Sequence, residues 1–179
     1  MHYAEGGVMT TGDQRTCLPD AMTVILCMLF KFPQSSVRTI TKKTIAWFVD
    51  RVRADPKREE GCDPNAFDAM AFGNANKFSL TYVPDLKHSP RGLLKKQHGL
   101  FLVRLLIHYV HEGNNKIDTH FLVYNAIDGK IIDNLRGKGA IVVDASDRKD
   151  NRSAIRPFHK ELFPEAEKVI VDAVYSASL

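Results

Sequence analysis

Apolar residues are concentrated near the start of the chain, in an almost unbroken run from Ala21 to Phe30. A run with so few polar positions is typical of a helix that is buried in the middle of a domain. Thr16 is suited to the N-cap position, and Pro19 falls in the first turn, where its missing N–H costs little. We therefore predict a central helix over about residues 17–32.

After this helix, several segments repeat apolar residues at helical spacing. Most segments further along the chain are short apolar stretches that are typical of strands. The pair Asp128–Gly129 indicates a two-residue type I′ hairpin turn between two of these strands. The segment 164–175 fits either a helix or a strand, and 147–156 is predicted to be a charged loop. Further helices are predicted at 41–54, 65–73 and 89–94, and strands at 78–83, within 99–110, and at 120–126, 130–133 and 140–144.

Helices come first and strands later, which predicts an α+β fold with the N-terminal helix packed against an antiparallel sheet. The 179 residues are enough for one domain with a full hydrophobic core. We assign the small and polar residues 1–12 to a flexible arm, and residues 13–179 to a single domain.

Composition limits the classes of partner. The net charge of +4 is modest, and Lys and Arg are spread along the chain, so nucleic acid is not an expected partner. Three cysteines at irregular spacing suit a reducing compartment better than a disulfide framework. The N-terminus lacks a secretory signal pattern, and the longest apolar run is well short of the roughly 20 residues that span a membrane. We therefore expect a cytoplasmic protein without a membrane partner.

Cys17 is the first candidate for chemistry because it stands at the start of the predicted central helix. The positive end of the helix dipole favours the thiolate, which is the nucleophilic form of cysteine. Free cysteines are more often buried structural residues, and we interpret Cys27 and Cys62 in this way. Cys17 differs from them because the polar segment Asp13–Thr16 leads into it.

A cysteine nucleophile needs a base, and His120 is the histidine best placed to supply one. Of the seven histidines, it alone opens an apolar strand whose hairpin partner ends in a carboxylate. A two-residue turn at 128–129 pairs Tyr124 with Asp133, so Asp133 reaches His120 only through a bulge or a longer loop. A structural histidine with a satisfied hydrogen bond is the alternative interpretation.

Asp133 and Asn134 compete for the role of the group that orients the base. Strand alternation sends their side chains to opposite faces, so only one of them can serve. We prefer Asp133, since a carboxylate accepts the imidazole N–H and fixes the tautomer. The backbone N–H of Cys17 and the side-chain amide of Gln14 are the candidate donors of an oxyanion hole, although Gln14 fits a solvent-facing loop equally well.

No cofactor or metal ion is expected. A zinc site made of His108, His111, His120 and Asp118 is the alternative, but neither His-Glu-x-x-His nor Cys-x-x-Cys spacing is present to support it.

Residues 13–35 and 99–135 together resemble the papain-like superfamily of cysteine peptidases, especially compact members such as bacteriocin-processing-type peptidases and ovarian-tumour-type deubiquitinases. The resemblance implies a papain-like fold with Cys17 as nucleophile, His120 as general base and acid, and Asp133 or Asn134 as the orienting group. The segments that carry it are Cys17–Ala21, Gly99–Val103, His120–Tyr124 and Gly129–Asp133.

We therefore expect a cysteine-type peptidase that hydrolyses peptide or isopeptide bonds through a thioester acyl-enzyme. Its expected partner is a peptide or protein substrate, with ubiquitin or a ubiquitin-like protein among the candidates, and deubiquitination and polyprotein processing are the activities considered. Two alternatives stay open. One is a transglutaminase-like acyl transferase, and the other is a non-catalytic protein-binding module on the same scaffold, in which Cys17 is merely packed.

Overall fold

The computed structural model describes residues 16–59, 62–133, 141–144 and 162–179. The predicted flexible arm and the predicted charged loop at 147–156 lie outside these residues. The described helices are α1 (Cys17–Leu29), α2 (Val37–Ala54), α3 (Ala66–Ala75) and α4 (Pro90–Leu94), and the strands are β1 (Ser79–Tyr82), β2 (Leu100–His111), β3 (Asn114–Asn125), β4 (Lys130–Asp133), β5 (Ile141–Asp144) and β6 (Lys168–Ser178).

Helix α1 begins where the sequence predicts and is buried along most of its length, as expected from its apolar run. It ends at Leu29 rather than Phe32, because the chain turns out of helical geometry at Lys31, which has a φ of +53°. Helix α2 begins earlier than predicted, since a short 3₁₀ turn over Gln34–Ser36 leads directly into it.

Helix α3 has a capping box at its start. The Asn65 side chain accepts hydrogen bonds from the backbone N–H groups of Phe67 and Asp68, and the Asp68 carboxylate accepts one from the N–H of Asn65. Asp68 also pairs with Arg51 of α2 and with Arg58 of the loop between the helices. The second and third helices are therefore joined through one buried carboxylate.

The strands form one antiparallel sheet in the order β1-β6-β2-β3-β4-β5. Strands β2 to β5 follow one another as a meander, while β6 returns from the end of the chain and inserts between β1 and β2. The ambiguous segment at 164–175 is therefore mostly strand. A tight turn at Glu112 and Gly113, both with positive φ, joins β2 to β3, which is the geometry of a type I′ hairpin.

Two apolar clusters lie on opposite faces of this sheet. The face that packs on α1, here called the α1 face, includes Leu102, Phe121 and Val123. The other face includes Leu105, Leu122 and Phe163. The α+β class and the packing of the N-terminal helix on an antiparallel sheet are confirmed. Among the described residues, no helix is both long and apolar enough to cross a membrane.

Candidate active site

Cys17 is the first residue of α1, so its side chain lies at the positive end of the helix dipole. It is partly buried and packs against the cluster on the α1 face. Cys27 lies in the interior of the same helix, where burial raises the pKa of its thiol to about 11. Cys62 is exposed in the loop before α3. Cys17 thus combines a helix start with partial access to solvent.

His120 lies in the middle of β3 and does not open the strand as predicted, because six polar or exposed residues from Asn114 onwards also pair with β2. The predicted two-residue turn at Asp128–Gly129 is wrong as well. Asn125 pairs with Lys130, so the loop between the strands contains four residues. This longer loop shifts the register by two residues and carries Asp133 closer to His120.

The shifted register explains how the two side chains meet. Val123 pairs with Ile132, which places Asp133 beside Leu122 and diagonal to His120 on the same face of the sheet. His120 Nε2 lies 2.7 Å from Asp133 Oδ1, and the exposed fractions of the two side chains are 15% and 2%. With the four-residue loop, His120 and Asp133 meet directly. With a two-residue turn, Asp133 would lie too far along the strand to reach His120.

His120 is electrostatically coupled to Cys17 as well as to Asp133. Burial alone lowers the pKa of His120, but the charge and hydrogen bond of Asp133 and the hydrogen bond of Cys17 outweigh it and raise the pKa to about 10. With Nε2 engaged by the carboxylate, Nδ1 is the ring nitrogen left to exchange a proton with the thiol. The arrangement can therefore hold a proton on the imidazole next to a sulfur nucleophile.

Phe163 completes the surroundings of the imidazole. Its ring meets His120 edge to face, with centroids 5.2 Å apart and an interplanar angle of 75°. Phe163 is buried, so it keeps water away from one side of the His120–Asp133 pair. The sequence offered no signal for this role, because Phe163 lies in a loop more than forty residues from His120.

The remaining candidates fall into two groups. Gln14 and Asn134 lie outside the described residues. Of the alternative zinc ligands, His120 is held by Asp133, while His111 is exposed at the hairpin tip beside Glu112. Within the described part of the chain, no three His, Cys, Asp or Glu side chains form a group that could hold a metal ion.

No protein-family model and no curated protein matches this sequence. The structure is similar to the crystal structure of the Pseudomonas avirulence protein AvrPphB, with 11% sequence identity and a TM-score of 0.51. The similarity covers 93% of this chain and 95% of that one. AvrPphB has the papain-like fold, and at this identity the likeness shows the fold alone. The chain is thus an α+β protein with the fold of the papain-like cysteine peptidases.

Proposed function

We propose that this protein is a cysteine peptidase that hydrolyses peptide or isopeptide bonds, with Cys17 as its nucleophile and His120 as its general base and acid. The observation that carries the proposal is the coupling of His120 both to Asp133, at 2.7 Å, and to a cysteine at a helix start. These are the parts that thiol hydrolysis requires.

In the proposed reaction, the Cys17 thiolate attacks the carbonyl carbon of the scissile bond, and His120 carries the proton as imidazolium. The backbone N–H of Cys17 and the side chain of Gln14 are the proposed donors to the oxyanion. His120 then protonates the leaving amine as the C–N bond breaks, which leaves a thioester on Cys17. Water, deprotonated by His120, attacks the thioester and restores the thiol.

Asp133 is a positioning residue in this scheme. It accepts a hydrogen bond from Nε2 of His120, which fixes the ring orientation and stabilises the imidazolium. Because a buried carboxylate is available for this role, Asp133 is a better candidate than Asn134.

We propose a peptide or protein as the substrate. Bonds to ubiquitin or a ubiquitin-like protein and the junctions of polyproteins are the first substrates to test. An acyl transferase would form the same thioester and then pass the acyl group to an amine in place of water.

The test is cleavage of a proteome-derived peptide library and of ubiquitin-linked substrates, with new termini identified by mass spectrometry. Cys17→Ala and His120→Ala are expected to reduce cleavage by at least about 10⁴-fold, as loss of a nucleophile or its base does in related chemistry. Cys62→Ser, which changes an exposed cysteine outside the site, is the matched control and should cleave like the wild type.

Cleavage that survives in Cys17→Ala would contradict the proposal. A product that carries an added amine would identify an acyl transferase. An intact library together with an unreactive Cys17 would favour the non-catalytic binding module.

A further inference from the structure

The connection between α1 and α2 carries positive charge with no negative charge near it in the sequence. Between Asp20 and Asp50 the chain contains no Asp or Glu. The same stretch contains four basic residues, which are Lys31, Arg38, Lys42 and Lys43. All four are exposed, and none of them forms an ion pair within the described part of the chain.

Helix α2 presents three of these cations to solvent. Its buried positions recur at helical spacing on one side and are Val37, Thr41, Thr44 and Phe48. Because that side packs into the core with α1, Arg38, Lys42 and Lys43 lie on the outward side. They belong to the first two turns of α2, at the end that adjoins the loop from α1.

The stability of α2 does not explain why cations lie there. Positive charges near the N-terminus of a helix oppose its dipole, and α2 has no acidic residue in its first turn to offset them. A local arrangement that costs stability is most often found where a protein needs it for function. Unpaired cations at an exposed surface favour a negatively charged partner.

An exposed aromatic ring adjoins Lys31 in the same connection. Phe30 follows the last residue of α1 and has an exposed fraction of 38%. Its ring contacts that of Phe32, with centroids 6.0 Å apart, and Phe32 is partly buried against the core. Phe32 therefore supports an apolar ring at the surface. We call Phe30–Pro33 together with Arg38, Lys42 and Lys43 the basic corner.

The basic corner is remote from the candidate nucleophile. Cys17 is the first residue of α1, whereas the corner begins where this helix of 13 residues ends. A helix of that length measures about 20 Å. A partner bound at the basic corner would therefore leave the thiol at the opposite end of α1 uncovered.

We propose that the basic corner is a docking surface for a membrane that contains anionic phospholipid. The cations pair with lipid phosphates and carboxylates, and the ring of Phe30 enters the headgroup region. Each Lys or Arg near an anionic membrane strengthens binding by a factor of about five. Charge complementarity and the exposed ring together favour a membrane over a purely polar anionic partner.

Binding of this kind takes place at the membrane surface, since no described helix is long and apolar enough to cross a bilayer. The expectation that the protein has no membrane partner rested on apolar runs too short to span a membrane. Such runs do not bear on binding at its surface. The docking surface is also independent of the proposed peptidase activity, because no candidate catalytic residue belongs to it.

The experiment measures co-sedimentation of the full chain with lipid vesicles. One set of vesicles contains phosphatidylserine and phosphatidylcholine in equal amounts, and the other contains phosphatidylcholine alone. We expect binding to the anionic vesicles only, and weaker binding at higher salt, because salt screens exposed charges. Lys42→Gln together with Lys43→Gln should weaken binding about 25-fold, from a factor of about five for each lysine.

Arg53→Gln together with Lys57→Gln is the matched control, because it removes the same charge from exposed positions at and beyond the other end of α2. This control should retain most of the binding. Phe30→Ser should weaken binding without changing its salt dependence, since it removes an apolar contact and no charge. Equal binding to the two kinds of vesicle, or an equal loss in the control, would overturn the inference. Binding to polyglutamate or to an RNA oligonucleotide in place of the vesicles would also overturn it.

Discussion

His120 is the residue whose chemistry depends most on its neighbours. Burial lowers the pKa of this imidazole, whereas Asp133 and Cys17 raise it, and the net value is about 10. The folded protein therefore binds this proton more tightly than the unfolded chain does. The resulting stabilisation is complete below a pH of about 6.5 and is lost as the pH rises towards 10. At neutral pH the imidazole is thus positively charged, as the proposed mechanism requires.

The substitution Asp133→Asn is expected to slow the alkylation of Cys17 by iodoacetamide at pH 6–7. Without the carboxylate, the pKa of His120 falls and the imidazolium no longer supports the thiolate at that pH. Each pKa unit corresponds to a factor of ten in the protonation equilibrium, so we expect the alkylation rate of Cys17 to fall at least about tenfold. Site-resolved mass spectrometry measures the rate, and Cys62 serves as the internal control because it is exposed and outside the site. Equal Cys17 rates in the two proteins would show that Asp133 does not set the charge of His120.

At this scale the sequence supplied the candidate residues but not the geometry that joins them. Helix position and residue type pointed to Cys17, and strand position pointed to His120 and Asp133, whose side chains the structure brings together. The close approach of His120 and Asp133 was not predictable. It depends on a loop of four residues between β3 and β4, whereas the pair Asp128–Gly129 favours a loop of two. The contact with Phe163 depends on the path of a distant segment, which no local pattern specifies.

Among the elements, α3 shows how local side-chain chemistry sets a boundary. Its capping box satisfies the N–H groups of the first turn through Asn65 and Asp68. The sequence predicted a helix over residues 65–73, and the structure places its first residue at Ala66, directly after Asn65. A helix start with such a cap can be predicted from the sequence, because the residues that form the capping box lie within four consecutive positions.

We predict that Asn65→Ala lowers the free energy of unfolding by about 1 kcal/mol, because two backbone N–H groups lose their acceptor. Denaturant titration measures the change. Asn74→Ala, at an exposed position inside the same helix, is the control and should change stability by less than about 0.5 kcal/mol. A similar loss from both substitutions would mean that the cap contributes nothing beyond helix propensity. Neither substitution should change the reactivity of Cys17.

Strands were harder to predict than helices, for reasons specific to each. The first half of β3 is polar and exposed, so only its apolar end resembled a strand. Strand β6 carries apolar residues on both faces, because it lies in the interior of the sheet with a core on either side. A short apolar run without alternation fits a helix and a buried strand equally well.

For the whole molecule, the sheet order predicts where stability is concentrated. Strands β2 and β6 each have a hydrogen-bonded neighbour on both sides, whereas β1 is a four-residue strand at the edge. We therefore expect backbone amides in the centres of β2 and β6 to exchange with deuterium only through global unfolding, while those of β1 exchange faster by local opening. Hydrogen exchange followed by mass spectrometry or NMR measures this difference. Protection of β1 equal to that of β2 would indicate that another segment or a second copy covers this edge.

The position of β6 also bears on when the candidate active site is complete during synthesis. Helix α1 and the strand that carries His120 leave the ribosome long before Lys168–Ser178, the segment that fills the gap between β1 and β2. Until that segment arrives, β2 has a bare edge, and at a length of about 160 residues Phe163, which packs on His120, is also missing. A nascent chain of about 160 residues therefore holds the thiol and the imidazole without the packing that orders them. The proposed peptidase activity is therefore expected only after the sheet has closed, which would spare the unfolded nascent chain and its neighbours.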